Sequence, residues 1–360
     1  MTSKDKILIG LVDADLLNGG TRHPNLALLK LAGFLADNAI PFRLIIDNDE
    51  DIMKYSAIYM SKVFSFTPDP PFYEKVKKTP DENKFKIGGT GDYAINKDIK
   101  DFKSSRTRDM NQLENDIFLN NYPNKRGGKK KWGIDMCRQM PYYHLYDEYI
   151  QSKIKAGRKK SYFNDYLYYS IGFLTRGCIR HCPFCVNKLE NKVYRYSELE
   201  WFLDDEKNEK GDLIRPYIYL WDDNFLAAPK DIWLPMLQSL IDSKRPFQFR
   251  QGLDERILAE SEDGEKIAQM LSKCKYHGDF IFAFDNWRDR DKIIKALKIW
   301  KRHNSKRGTK FYLFCGYTLK SGEDEKLYND IKILFERIKI LMQYDMQIMS
   351  IINCQIFIFK

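Results

Sequence analysis

The sequence lacks the features of membrane and secreted proteins. No apolar run approaches the ~20 residues that a membrane-spanning helix needs. The first six residues, Met-Thr-Ser-Lys-Asp-Lys, lead straight into a short apolar segment without the cleavage pattern of a signal peptide. The seven cysteines are odd in number and have no framework spacing, which argues against a disulfide-rich fold and indicates a reducing compartment. We therefore expect a cytoplasmic protein with no membrane partner.

The composition sets broad limits on size and partners. A chain of 360 residues with 43% apolar residues is long enough for about two domains with sizeable cores. The formal net charge of +10 permits an anionic partner such as nucleic acid but does not establish one. Two basic runs, 124–131 and 153–160, lie near Trp132, Tyr142 and Tyr143, aromatic residues of a kind that can stack on bases. Such runs are more often simply solvated surface.

Three of the seven cysteines, Cys178, Cys182 and Cys185, fall within the segment Gly-Cys-Ile-Arg-His-Cys-Pro-Phe-Cys. Thiolates at such short spacing suit an iron–sulfur cluster or zinc. A structural zinc site normally has four protein ligands, and no Cys or His pair elsewhere has the spacing to complete one. A zinc knuckle and a chance grouping of thiols nevertheless stay open as alternatives. The other four cysteines are scattered singly, so we expect no auxiliary cluster.

The spacing Cys-x3-Cys-x2-Cys, with Phe184 directly before the last cysteine, resembles the signature of the radical SAM superfamily. The resemblance implies a [4Fe-4S] cluster held by Cys178, Cys182 and Cys185, with S-adenosylmethionine (SAM) on the fourth iron through its amino and carboxylate groups. It also implies that Phe184 lies near the adenine. In this superfamily the reduced cluster cleaves SAM to a 5′-deoxyadenosyl radical that abstracts hydrogen from the substrate. The implied electron donor is a reductant such as flavodoxin or ferredoxin.

In the first third of the chain, short apolar runs alternate with helical patterns. We expect strands at 6–13, 42–47, 57–61 and 85–89, and a helix from Pro24 to Asn38. This alternation predicts a doubly wound, Rossmann-like sheet, and the segment resembles the cobalamin-binding-like domain that precedes the barrel in many radical SAM proteins. The cobalamin motif Asp-x-His-x-x-Gly is absent around His23. Cobalamin is therefore left open as a cofactor without support.

The second half of the chain repeats a strand–helix pattern. Apolar strands are expected at 171–175, 217–221, 247–250, 280–284 and 311–315, with a last apolar run at 348–359. Six such units predict an α/β fold with a partial (β/α)6 barrel, the radical SAM core. We divide the chain into a Rossmann-like domain (1–100), a basic linker or insert (101–160) and the core domain (161–360). The last run is either a buried strand or a truncated end that leaves the final barrel helix missing.

Barrel chemistry takes place at the carboxyl ends of the strands, and polar residues follow four of the predicted strands. The candidates for cofactor binding are Asp222, Asp223, Asn224, Arg256, Asp285 and Tyr317. Arg256 has the geometry to pair with the SAM carboxylate as a bidentate fork. Structural alternatives remain, because Asp223 also suits a helix N-cap and Asp285 a turn.

We therefore interpret the chain as a radical SAM enzyme whose substrate and catalytic residues the sequence does not identify. A methyltransferase reaction and a nucleoside- or RNA-modifying reaction both fit. Radical SAM methylthiotransferases carry a second cysteine triad and a C-terminal β-barrel, and this sequence has neither. The alternative from another class is a non-enzymatic iron–sulfur or zinc binding module that contacts nucleic acid.

Overall fold

The structure is a computed structural model that describes residues 8–89, 136–185, 187, 190–316 and 324–351. Its described part is mixed α/β and divides into two compact units. The first unit contains the described residues up to Tyr169 together with Glu200–Arg215, and the second contains Ser170–Leu199 and the described residues from Pro216 onward. None of the described helices is both long enough and apolar enough to span a bilayer.

The first unit is built on a four-stranded parallel sheet. Its strands are β1 (Ile9–Asp13), β2 (Phe42–Leu44), β3 (Ala57–Ser61) and β4 (Phe85–Gly88), in the order β2-β1-β3-β4. Every residue of β1 and β3 is buried, as expected of parallel strands covered on both faces. The four strands predicted in this region are confirmed to within a few residues at their ends.

Five helices of the described residues accompany this sheet. They are α1 (Ala14–Leu17), α2 (Leu26–Asp37), α3 (Pro71–Val76), α4 (Asp147–Lys155) and α5 (Asn164–Tyr168). Helix α2 begins where the Asn25 side chain accepts a hydrogen bond from the Leu28 amide, a typical N-cap. Its apolar residues pack with β1 and with tyrosines from the segment 143–166 in one hydrophobic core.

The segment 200–215 belongs to the first unit through buried polar contacts. Arg215 is 2% exposed, and its guanidinium binds the Asp204 carboxylate at 2.6 Å and donates to the Tyr143 carbonyl at 3.3 Å. The Tyr143 hydroxyl in turn donates to the Phe202 carbonyl at 2.7 Å. The domain division drawn from the sequence had placed this segment and residues 161–169 with the core domain, and residues 101–160 in a linker. Of the expected linker, 101–135 lies outside the described residues.

The described part of the second unit contains eight strands, most of them parallel. They are β5 (Tyr169–Gly172), β6 (Thr175–Gly177), β7 (Val193–Arg195), β8 (Tyr217–Leu220), β9 (Phe247–Phe249), β10 (Phe280–Ala283), β11 (Thr309–Phe314) and β12 (Gln347–Ile351). One sheet has the order β5-β8-β9, another β10-β11-β12, and β6 pairs with β7 as an antiparallel ribbon. The pairs β8–β9, β10–β11 and β11–β12 are parallel.

Helices alternate with these strands. They are α6 (Lys230–Asp242), α7 (Arg256–Glu260), α8 (Gly264–Lys273), α9 (Arg290–Asn304) and α10 (Asp324–Met342). Phenylalanines on β9 and β10 are fully buried and supply much of the core, together with Trp300 of α9. Four of the five strands predicted before the last run are confirmed in position. Of the last predicted run, 348–359, the structure describes only the part within β12.

One predicted strand is wrong in detail. The run Ile171–Thr175 reads as a single apolar strand, but β5 ends at Gly172 and β6 begins at Thr175. The chain turns between them because the buried Asp222 carboxylate accepts hydrogen bonds from the amides of Leu174 and Thr175, at 3.1 and 2.6 Å. The cysteine segment therefore follows the short ribbon strand β6.

Candidate functional site

The three clustered cysteines lie on the loop that connects the antiparallel strands β6 and β7. Cys178 is buried, whereas Cys182 and Cys185 are partly exposed, and none of the three forms a disulfide. Gly177 opens this loop with a φ of 91°, and a Cβ at that position would lie 2.2 Å from the Lys192 carbonyl oxygen. Glycine is therefore required where the two ends of the loop approach each other.

Two backbone N–H groups of the loop point at cysteine sulfurs. The Arg180 amide lies 3.3 Å from the Cys178 sulfur, and the Asn187 amide lies 3.4 Å from the Cys185 sulfur. Burial raises the pKa of the Cys182 thiol; Arg256 opposes this shift, and the neighbouring Cys185 and Cys178 thiols add to it. N–H groups that point at sulfur are one of the means by which proteins stabilise and tune iron–sulfur clusters.

The described residues do not gather the three thiols into a formed metal site. Three thiolates on one zinc ion must each come within about 2.3 Å of the same point. In the described part of the chain, no group of three His, Cys, Asp or Glu side chains is gathered in a way that could hold an ion. The thiolates of an iron–sulfur cluster bind different irons and so need not converge on one point. The donor chemistry, three thiols with N–H donors to sulfur, is compatible with the cluster.

Two carboxylates that follow β8 hold the loop in place. Asp222 is 1% exposed, and it also accepts a hydrogen bond from the Thr175 hydroxyl at 2.7 Å. Burial raises the pKa of Asp222 to about 6, although the hydrogen bonds from Thr175 and Leu174 lower it. Asp223 accepts from the Gly177 amide and from the Asn187 side chain, both at 2.9 Å. Both carboxylates thus have protein partners in the structure.

Asn224 differs from its two neighbours, because one of its polar atoms is unused. Its Nδ2 lies 3.4 Å from the Cys178 sulfur and donates to Asp254 at 3.0 Å. Its Oδ1 is buried and has no hydrogen-bond partner among the described residues. An unsatisfied buried carbonyl is costly, so this atom is suited to accept a hydrogen bond from a ligand beside the cysteine loop.

An ionic network follows β9. Asp254 accepts from Arg180 Nε at 2.7 Å and from Arg256 Nε at 2.6 Å, and Arg256 also donates to Asp289 at 2.9 Å. Burial tends to raise the pKa of Asp254, but Arg256 and Arg180 outweigh it and hold the pKa below its usual range. Arg180 also binds Glu260, at 2.5 Å. Arg256 therefore does not present a free bidentate fork, since its Nε and one terminal nitrogen are already engaged.

A cavity of about 500 Å³ opens beside the loop. Its wall includes Phe184, Arg256, Asp285, Trp287, Phe314 and Arg337. The ring of Phe184 is 38% exposed and lies 4.7 Å from the ring of Phe314. Asp285 accepts from the Phe314 amide at 2.8 Å, and burial raises its pKa. The volume falls within the range of small-ligand pockets.

Arg337 fixes the cavity floor from helix α10. Its guanidinium, 3% exposed, donates to the carbonyls of Phe284 at 2.6 Å, Asp285 at 3.1 Å and Phe314 at 3.0 Å. These carbonyls lie at or just beyond the ends of β10 and β11. One side chain thus holds the ends of two neighbouring strands at a common edge.

No protein-family model matches this chain, and no curated protein matches it closely enough to indicate a function. The functional interpretation therefore depends on the residues and their geometry.

The structure brings most of the residues predicted from the sequence into one region. The three cysteines, Asn224 and Arg256 belong to one contact network, and Phe184 and Asp285 line the adjoining cavity. Tyr317 lies outside the described residues. Sequence reasoning missed Arg180 and Arg337. Arg180 lies inside the cysteine motif, where its charge was a usable signal, whereas nothing local marks Arg337 because its three acceptors are 23 to 53 residues away.

Proposed function

We propose that this chain is a radical SAM enzyme, in which Cys178, Cys182 and Cys185 hold a [4Fe-4S] cluster and SAM binds at the adjoining cavity. The observation that carries the proposal is the unpartnered Oδ1 of Asn224, buried beside the Cys178 sulfur on a loop of three thiols. A cluster with three thiolates leaves one iron for a non-protein ligand. A hydrogen-bond acceptor at this place suits the amino group of SAM.

The strand order supports the architecture that the proposal requires. The sheets β5-β8-β9 and β10-β11-β12 follow the chain in order, and the Leu253 amide donates to the Ile281 carbonyl at 2.8 Å, which links the segment after β9 to β10. Six strands in this succession are what a partial (β/α)6 barrel needs. In the first unit, the order β2-β1-β3-β4 is the flavodoxin-like order of doubly wound sheets rather than the 3-2-1-4 order of the Rossmann fold, and it supports a doubly wound domain.

When bound and reduced, the cluster would supply the electron that cleaves SAM to methionine and a 5′-deoxyadenosyl radical, which then abstracts hydrogen from the substrate. The protein's own residues would bind SAM, orient it and keep water away from it. Asn224 would accept a hydrogen bond from the amino group of SAM, Phe184 would cover the adenine, and Asp285 would offer its second carboxylate oxygen to a hydroxyl in the cavity. Arg256 contributes only its remaining terminal nitrogen to the SAM carboxylate. A cytoplasmic reductant such as flavodoxin or ferredoxin would deliver the electron.

The test begins with anaerobic reconstitution of the full chain with iron and sulfide. We expect about four irons per chain, and Cys182→Ala should abolish their uptake. Cys274→Ala is the matched control, because it removes a buried thiol outside the motif. The loaded protein, reduced with dithionite, should then convert SAM to 5′-deoxyadenosine and methionine without any substrate.

Two outcomes would count against the proposal in different ways. Stoichiometric zinc without iron–sulfur absorbance would favour the alternative of a zinc binding module. A fully loaded cluster that yields no 5′-deoxyadenosine would leave an iron–sulfur module and exclude the enzyme. Cleavage at the wild-type rate by Asn224→Ala with unchanged SAM affinity would contradict only the role given to Asn224.

A further inference from the structure

We propose that the outward face of helix α9 and its flanking turns binds the backbone of a single-stranded nucleic acid and leads one of its bases into the cavity beside Phe184. This inference rests on the proposed function, and it names the substrate class of the same site as a polynucleotide. RNA and single-stranded DNA share the chemistry that this surface would recognise, a row of phosphates with unpaired bases.

The segment that contains α9 is strongly basic. Residues 288–310 contain ten Lys or Arg and two Asp, a net charge of +8, whereas the whole chain carries +10. Two other runs of the chain, 124–131 and 153–160, hold five Lys or Arg each and no acid, so what distinguishes this segment is how its basic residues are arranged. A basic face attracts polyanions.

The basic residues form a stripe rather than a scatter. Lys292, Lys295, Lys298 and Arg302 recur at intervals of three or four residues on α9, and all four are exposed. Arg288 precedes the helix and Lys306 follows it, and both are exposed as well. Since an α-helix rises 1.5 Å per residue, α9 is about 22 Å long. About six phosphates of a stacked strand, spaced 3.4 Å apart, would pass along that length.

Internal ion pairs neutralise only part of the stripe. Lys292 binds Glu260 at 2.6 Å, and Arg302 pairs with Glu265. No carboxylate of the described residues pairs with Arg288, Lys298 or Lys306. The two acids of the segment are themselves engaged, Asp289 by Arg256 and Asp291 by Arg290. Arg288, Lys298 and Lys306 therefore keep positive charge that no described acid neutralises, and Lys295 donates to the Ala259 carbonyl at 2.9 Å without losing its charge.

The stripe begins at the cavity. Trp287 and Asp289 line the cavity wall, and α9 starts at the next residue, Arg290. Trp287 lies parallel to Phe284, with the ring centroids 6.3 Å apart, and Phe184 is partly exposed on the same cavity. Proteins that bind single strands combine a basic track with aromatic rings on which bases stack. Enzymes that act on a base take it out of the stack and into a pocket, which favours an unpaired strand.

An anionic membrane is a poorer partner for the same charge. A helix that lies in a membrane surface needs an apolar face free to enter the lipid. The apolar face of α9, which includes Ile293, Leu297 and Trp300, is buried in the protein at 1% exposure each. None of the large exposed apolar side chains of the described residues lies on α9.

The test measures binding of fluorescein-labelled, mixed-sequence 12-nucleotide RNA and DNA to the reconstituted full chain by anisotropy, from 50 to 300 mM KCl. The variant is Lys295→Gln/Lys298→Gln/Lys306→Gln, and the control is Lys75→Gln/Lys207→Gln/Lys210→Gln, which removes the same charge from exposed lysines of the first unit. For a single strand, the slope of log K against log salt becomes shallower by about 0.7 for each phosphate that the protein no longer neutralises. We expect the variant to bind at least tenfold more weakly at 100 mM KCl, with a slope shallower by about 2, and the control to bind like wild type.

Equal weakening in the variant and the control, or no wild-type binding to either strand at 50 mM KCl, would overturn the inference. Equal displacement by inorganic polyphosphate and by unlabelled RNA would also do so, because it would show attraction to charge without use of the bases. Substrate-free SAM cleavage is measured in the same preparations and should be unchanged in the variant. A chain that cleaves SAM but binds no strand refutes this inference alone, and one that binds a strand but never cleaves SAM refutes the proposed function.

Discussion

Replacing Asp223 by alanine tests whether this carboxylate binds a ligand or holds the cysteine loop. Its two oxygens accept from the Gly177 amide at the start of the loop and from the Asn187 side chain after the last cysteine, both at 2.9 Å. A hydrogen bond to a charged group contributes about 1.5–3 kcal/mol, so Asp223→Ala removes about 3–6 kcal/mol of loop restraint. Water can reach this half-exposed loop and offsets part of that cost. A net cost of about 3 kcal/mol corresponds to about a hundredfold shift toward a disordered loop.

The assay for Asp223→Ala is the rate at which an iron chelator strips the reconstituted protein. We expect stripping at least tenfold faster than in wild type, with lower iron content after desalting. Asp231→Ala is the matched control, because it removes an exposed acid from the first turn of α6 at the same cost in charge. Suppose that Asp223→Ala keeps the iron content and chelator resistance of wild type but binds SAM more weakly. That result would show that Asp223 does not restrain the loop and would favour the ligand role that the sequence pattern indicates.

Two further predictions concern the first unit. Burial raises the pKa of Asp13 from 3.8 to about 7, against the hydrogen bond that it accepts from Tyr146. Between these values the folded chain keeps a proton that the unfolded chain releases, so the free energy of unfolding should fall as pH rises from 4 to 7, by up to about 4 kcal/mol. Urea unfolding at pH 5 and pH 7.5 should show a flatter dependence in Asp13→Asn, and an unchanged one would contradict this account. Without Asp-x-His-x-x-Gly, and with His23 paired to Asp165, the chain should not retain hydroxocobalamin base-off after anaerobic desalting, whereas retained cobalamin whose spectrum changes in His23→Ala would show the opposite.

The strands were predictable because each is a short, nearly continuous apolar run between polar segments. Such a run indicates that its own residues are buried, and this can be inferred from the residue types of the run alone. The break between β5 and β6 was not predictable, since it depends on hydrogen bonds from Leu174 and Thr175 to Asp222, 47 to 48 residues away. The place of 200–215 in the first unit depends in the same way on Arg215 and Tyr143, 72 residues apart.

The sequence predicted which residues lie at the candidate site better than it predicted what each of them contacts. The rule that polar residues gather at carboxyl ends of strands selected Asp223, Asn224 and Arg256 correctly as neighbours of the cysteine loop. The rule does not say which of them already has a protein partner. The acids that engage Arg256 are Asp254 and Asp289, and only their spatial position shows that its fork is largely occupied.

The hydrogen bonds of Arg337 couple two motions: the separation of helix α10 from the strands and the opening of the cavity. Its guanidinium donates to three carbonyls at the ends of β10 and β11, and these bonds must break before α10 can separate from the strands. Lysine lacks the planar fork and could not keep all three. Amide hydrogens of α10 and of the cavity floor should therefore exchange with solvent in a single cooperative opening. A ligand held only by the cavity should slow exchange along α10, including turns of that helix it never touches.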